Sequence, residues 1–228
     1  IIAILFYHPE SGETERKSFG ELFRSLGKIL INARLMALTI IIAGFWTVQQ
    51  QLYATMPKYV IRTVGESARP EWIANVNPLV VVICVIFVTQ WMRHKKAITS
   101  MTIGMFIMPF SAFAMSLGPW LNDAFGSSIM GLHPFTFMLV VGIALQGLAE
   151  CFISPRFLEY FSLQAPKGEE GVYLGFSHLH SFFSAIFGFF ISGFLLDKYC
   201  PARETLPAGL SDAEIATYYE NAHHIWYY

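Results

Sequence analysis

Apolar residues in this chain fall into long runs separated by polar connections, and the length of the runs is the first informative quantity. Five of them, at about 35–57, 72–92, 97–120, 134–160 and 172–196, reach or exceed the ~20 residues needed to cross ~30 Å of hydrocarbon. The longer ones predict tilted or protruding helices. A shorter run at 1–9, closed by His8 and Pro9, reads as the end of a preceding span. The aromatic cluster at 223–228 fits an interfacial belt and reads as the start of a following one. The chain is thus expected to be a piece of a longer protein, cut inside one span and at the mouth of another.

Between the first tail and the first full span, residues 10–34 change period. Phe19, Leu22, Phe23, Leu26, Ile29 and Leu30 recur at three- and four-residue steps among mixed charges, the pattern of an amphipathic helix lying along a membrane surface. After the fifth span a polar loop, 197–222, contains Ser211-Asp212-Ala213-Glu214, a capping-box sequence that predicts a short helix from Asp212.

Composition sharpens this to an all-α membrane protein. Of 228 residues 54% are hydrophobic and only 14% charged, against roughly 25% charged in soluble domains. The net charge of −1 leaves no basic face for nucleic acid. Cys84, Cys151 and Cys200 are far apart and give neither a disulfide framework nor metal-ligand spacing. His178 and His180 are about 200° apart around a helix, so no converging metal site follows.

Charge also orients the chain. One side of the membrane collects ten Lys and Arg, in 10–34, in Arg93-His94-Lys95-Lys96, and at Arg156 and Lys167; the other collects five. The positive-inside rule puts the richer side, including residues 10–34, in the cytoplasm of a plasma or inner membrane.

Against this apolar background the polar residues stand out. Glu150 is the one carboxylate well inside a run. An ionisable group at membrane depth is costly and marks a pathway or a partner. Gln146 and Ser154 flank it at four-residue spacing on the same helical face. Pro155 removes the amide that would bond Cys151, so the helix can bend beside the carboxylate. In the first span Trp46, Gln49 or Gln50, and Tyr53 share a face. Three consecutive glutamines cannot all meet hydrocarbon. Asn77 precedes Pro78 in the second span and offers both a donor and an acceptor. In the fifth, Ser177, His178, His180 and Ser181 form a polar opening. Gly188 and Ser192 then form a small-xxx-small pair that lets helices approach closely, and the glycines of this span, with Pro155, are the expected hinges.

Phe45-Trp46 followed by Gln50-Gln51, Asn77-Pro78-Leu79, and Glu150-x-x-x-Ser154-Pro155, in successive spans, resemble the C-terminal half of the proton-dependent oligopeptide transporters, a branch of the major facilitator superfamily. The resemblance implies a six-helix bundle, from the end of helix six to the start of helix twelve, with residues 35–228 as the C-terminal transmembrane bundle. It implies a missing N-terminal six-helix half as partner. It also assigns Glu150 and Asn77 to the amino terminus of a bound peptide. Two departures are visible. Gln50 stands where family members commonly carry a helix-seven acid, and Leu174-Gly175-Phe176-Ser177-His178 replaces the usual Met-Gly-x-Trp.

The expected function is proton-coupled secondary transport of short peptides or similar small zwitterionic solutes by alternating access. A proton gradient would supply the energy and no cofactor would be needed. Expected substrate contacts are Glu150, Asn77, Trp46, Gln49, Gln50 and Ser154, with Glu150 and His178 as proton sites and Pro155 and Gly188 as hinges. An exporter or symporter of another small solute is the alternative, and a non-transporting sensor or assembly subunit a remoter one. No nucleophile with a base beside it argues for an enzyme.

Overall fold

The computed structural model describes residues 18–65, 68–126 and 128–228. The expected tail at 1–9 and residues 10–17 of the linker lie outside the described residues. Helix α1 (Phe19–Ile31) is amphipathic: Ser25 and Ile29 are buried, while Phe19 and Phe23 stay exposed along the outer edge of its apolar face. Glu21 accepts a hydrogen bond from the Ser18 N–H at 3.0 Å, satisfying one of the orphan donors at the helix start. Asn32 then turns the chain straight into α2 (Ala33–Thr63). Its Oδ1 accepts from the amides of Arg34 (3.2 Å) and Leu35 (3.3 Å), the side-chain capping that asparagine supplies at a helix start.

The short α3 (Pro70–Ala74) continues into α4 (Val76–Met92), and α5 (Ala97–Ser116) is followed after Leu117 by α6 (Gly118–Phe125). Helix α7 (Pro134–Gln164) passes through Pro155 without a break. The fifth apolar run is two helices, α8 (Glu170–Ser177) and α9 (Leu179–Tyr199), meeting at His178. The following loop contains a 3-10 turn at Arg203–Thr205 and α10 (Asp212–Tyr219). Ser211 and Glu214 form the expected box: Ser211 Oγ accepts from the Glu214 amide at 3.4 Å, and Glu214 Oε2 accepts from the Ser211 amide at 2.8 Å. Residues 223–228 lie in or beside a 3-10 segment, Ala222–Tyr227. Among the described residues there is no named strand, only an isolated bridge between Ile129 and Leu132.

Five segments are long and apolar enough to cross a membrane: Ala33–Thr63, Pro70–Met92, Ala97–Ser116, Pro134–Gln164 and Glu170–Tyr199. The large apolar side chains left exposed, such as Val82, Ile86, Phe87, Phe106, Phe110, Phe187 and Phe190, run along helix faces that hydrocarbon or another membrane segment would cover.

Packing is organised around α7, which carries α5 and α4 against it, while α2 pairs with α9. Backbone contact makes the first crossing. A Cβ at Gly142 would lie 2.8 Å from the Ser111 carbonyl oxygen, and Ser111 Oγ donates to the Gly142 carbonyl at 2.8 Å. One end of α5 repeats the arrangement, with Ser100 Oγ donating to the Phe152 carbonyl at 2.8 Å. The α2–α9 crossing is equally close: a Cβ at Gly188 would sit 2.6 Å from Gln50 Cβ and 2.9 Å from the Thr47 carbonyl oxygen. One turn on, Thr55 Oγ1 donates to Ser192 Oγ at 2.9 Å. Both members of the small-residue pair therefore face α2, as close packing through small residues requires.

The apolar core is divided. One cluster joins Leu52, Met56 and Tyr59 of α2 to Leu139 and Ile143 of α7, Leu195 of α9 and Trp226. A second, at the other end, joins Ile29, Leu35, Ile42 and Phe45 to Ala149, Ile153, Phe157 and Phe161 of α7. Polar side chains are buried beside them: Gln49, Gln51, Thr55, Asn77, Gln146 and Ser192. Glu150 belongs to this polar layer.

Candidate functional site

Two helices bring polar groups to a carboxylate on a third. Glu150, half-buried on α7, accepts a hydrogen bond at Oε2 from Gln49 Nε2 of α2 at 3.0 Å. The same oxygen accepts from Asn77 Nδ2 of α4 at 3.4 Å. Amide donors to an ionised acceptor are charge-assisted, and they hold the carboxylate in one orientation. Among the described residues no Lys, Arg or His lies within ion-pair distance of Glu150; the ion pair there is Arg156–Glu159, at 2.6 Å along α7.

Local sequence places each group. Asn77 lies in the first turn of α4, next to Pro78, and is 3% exposed. Its backbone is pressed on α7, since a Cβ at Gly147 would lie 3.1 Å from the Asn77 carbonyl oxygen. Of the three glutamines, Gln49 reaches Glu150, whereas Gln50 packs its Cβ where α9 crosses and Gln51 donates to Thr55 Oγ1 at 3.5 Å. Tyr53, one turn beyond Gln49, lies in the electrostatic field of Glu150 and beside Gln49.

Trp46 closes one side. Its ring is 5.7 Å from Phe45, edge on, and 5.7 Å from His180. His180 is buried and also meets Phe157 edge to face at 5.1 Å, and it bonds the Ser177 carbonyl. It is thus His180, not His178, that packs beside the Trp46 wall. His178 is exposed and faces an apolar groove lined by Leu22, Leu26 and Leu30 of α1. Ser154 Oγ is buried without a protein partner, and Pro155 lies within a continuous α7. Gly188 lies on the α2 contact.

Helical phase explains which of these neighbours the sequence reveals. Tyr53 shares a face with Trp46 and Gln49 at helical spacing, and that spacing is the signal that identifies it. His180 carries no such signal, because the helix restarts at Leu179 and the phase counted from Ser177 does not carry across the break. Among the described residues no group of three His, Cys, Asp or Glu side chains converges to hold a metal ion.

The arrangement can do two things. An acceptor-only carboxylate flanked by amides and an indole can hold a small cation such as a primary ammonium, and in a low-dielectric setting that attraction is stronger than in water. The same carboxylate can also take up a proton.

No curated protein and no solved structure matches the chain. The family model described as the POT family matches residues 18–207, a stretch that includes all five apolar helices, Glu150, Asn77 and the glutamine run. With an all-helical membrane bundle around a single carboxylate, this match shows that the chain belongs to the POT family of proton-dependent transporters.

Proposed function

We propose that the protein moves short peptides, or similar small zwitterionic solutes, across a plasma or inner membrane by proton-coupled alternating access. In this reading residues 18–228 act as the C-terminal half beside an N-terminal six-helix half. The end carrying Arg93, Lys95 and Lys96 faces the cytoplasm, as the positive-inside rule requires. Glu150 holds the ammonium group of the substrate. Gln49 and Asn77 fix its carboxylate, Trp46 and Tyr53 form the adjacent wall, and Ser154 offers a further hydroxyl one turn along α7. Glu150 is also the group that exchanges protons, because Gln50 has no acid to offer.

The observation that carries the proposal is the convergence of Gln49 and Asn77 on one oxygen of Glu150 with no cation beside it among the described residues. A carboxylate at this depth needs a cationic partner or a proton, and an arriving ammonium supplies the first. The test is uptake of labelled dipeptide by the full-length protein in proteoliposomes under an inward proton gradient. Uptake is expected with the native sequence and lost in Glu150→Gln; undiminished uptake in that variant would overturn the role.

One observation favours a second reading, transport of another small solute or export: Gln50 packs against α9 and does not titrate. A substrate panel separates the two, since dipeptides compete for uptake only under the first.

A further inference from the structure

We propose that the cavity between the end of α2, α6, the start of α7 and α10 is a capture site for a small zwitterion, with Arg62 and Arg203 for its carboxylate and Asp123 and Glu220 for its ammonium group. Delivery of the captured solute to Glu150 rests on the transport reading above; the site itself does not.

The cavity is about 400 Å³ in volume, within the range of pockets that hold small molecules. It lies where the loop after α9 folds over the end of the bundle opposite Arg93, Lys95 and Lys96. Arg62 enters it from the last turn of α2, Asp123 from α6, Arg203 from the 3-10 turn and Glu220 from the end of α10. Two charges of each sign thus line one space without neutralising one another: among the described residues the ion pair is Arg156–Glu159, at the other end of α7.

The loop brings the two guanidiniums together. Arg62 donates through one nitrogen to the Cys200 carbonyl, which anchors the side chain; a guanidinium carries five N–H donors, so the planar fork stays largely open to a carboxylate. Burial raises the pKa of the Tyr219 phenol, with a smaller push from Cys200, while Arg62 and Arg203 draw it down. Both cations therefore stand within electrostatic reach of one hydroxyl. Tyr219 is buried and donates to the Pro201 carbonyl at 3.0 Å, which ties α10 to the loop and fixes that wall.

Charge selects the ligand. The four groups sum to zero, so neither a simple anion nor a simple cation is favoured, whereas a molecule bearing both charges answers both pairs. Arg203, Asp123 and Glu220 are exposed and Arg62 half-buried, so water screens each contact and the solute is held weakly, as capture and release require. The site is separate from Glu150: Gln49, which bonds that carboxylate, precedes Arg62 by thirteen residues on α2, roughly 20 Å along the helix.

The test uses the full-length protein with Ala216→Cys, an exposed position lining the cavity, and reads its labelling by a membrane-impermeant maleimide against the parent protein. Excess Ala-Ala should slow labelling severalfold. N-acetyl-Ala-Ala, without the ammonium, and Ala-Ala amide, without the carboxylate, should not. Protection should persist when Glu150→Gln is added and disappear when Arg203→Gln, a change at an exposed side chain, is added instead. No protection by Ala-Ala, equal protection by either blocked form, or protection that survives Arg203→Gln would overturn the site, whether or not Glu150→Gln folds. Protection lost in a folded Glu150→Gln protein would place its origin at Glu150 and overturn the site as well. In proteoliposomes, Arg203→Gln should raise KM for Ala-Ala severalfold with the maximal rate unchanged; protection as expected with an unchanged KM would overturn the capture role alone. Protection in a protein that takes up no dipeptide would uphold the site and count against the transport reading.

Discussion

Gln49 and Glu150, 101 residues apart in sequence, meet with the Gln49 amide donating to Glu150 Oε2 at 3.0 Å. The bond ties α2 to α7 at the level where apolar packing gives way to polar side chains. Since the carboxylate also accepts from Asn77, its orientation is preset, and under the proposed function the cost of ordering it would not be charged to binding.

A hydrogen bond to a charged group contributes ~1.5–3 kcal/mol of stability, so Gln49→Leu should lower the thermal midpoint, and by freeing the carboxylate's orientation it should also raise KM. Gln50→Leu, on the α9 side, should change KM far less. Equal effects of the two variants on uptake kinetics would contradict the assignment of Gln49.

The α2–α9 crossing has no room for a side chain at Gly188. Gly188→Ala places a Cβ 2.6 Å from Gln50 Cβ and 2.9 Å from a backbone oxygen, and overpacking of this kind costs ~1–3 kcal/mol. A lower thermal midpoint in detergent is expected. An unchanged midpoint would mean that the helices part easily there.

The start of α7 should depend on pH. His133 Nδ1 accepts from the Phe135 amide at 3.4 Å, and burial holds its pKa below the ordinary histidine value. A depressed histidine pKa favours the neutral ring on folding. The contribution is therefore present above the unfolded-state value and lost as pH falls through the folded-state one. Amide exchange at Phe135, corrected for its intrinsic pH dependence, should accelerate on mild acidification. His133→Asn should remove the pH dependence while keeping a cap.

Cys200 should be chemically silent. It is fully buried, and burial pushes its thiol up to about 11, against a smaller opposite pull from Arg62; Arg62 also donates to its backbone carbonyl. Since the thiolate is the reactive form, maleimide at neutral pH should leave Cys200 unmodified in the folded protein and label it after denaturation in SDS. Rapid labelling before denaturation would show that this loop opens.

The parts of this molecule that sequence reveals are those ruled by one-dimensional constraints. A bilayer demands about twenty apolar residues whatever the neighbours, so the helices across the membrane follow from run length. The exceptional cost of Glu150 marks it before any partner is known. Choosing Gln49 over Gln50 is different: adjacent residues differ by 100° of rotation, and only the positions of α7 and α9 decide which direction is the site. Which of His178 and His180 packs beside Trp46 is likewise not legible, because the helix restarts at Leu179. The unpaired amide of Gln146 has no sequence signature, as it arises from what α2, α5 and the 3-10 segment leave around it.

The divided core has a mechanical consequence. Ile143 lies in one apolar cluster and Ile153 and Phe157 in the other, so α7 is clamped on both sides of Glu150 like a beam fixed at its two supports. Pro155 lies within the second support, between two of its buried residues, and bending there would have to break that cluster. Under the proposed alternating access, tilting of this half as a unit would carry the Glu150 carboxylate together with its amide ligands.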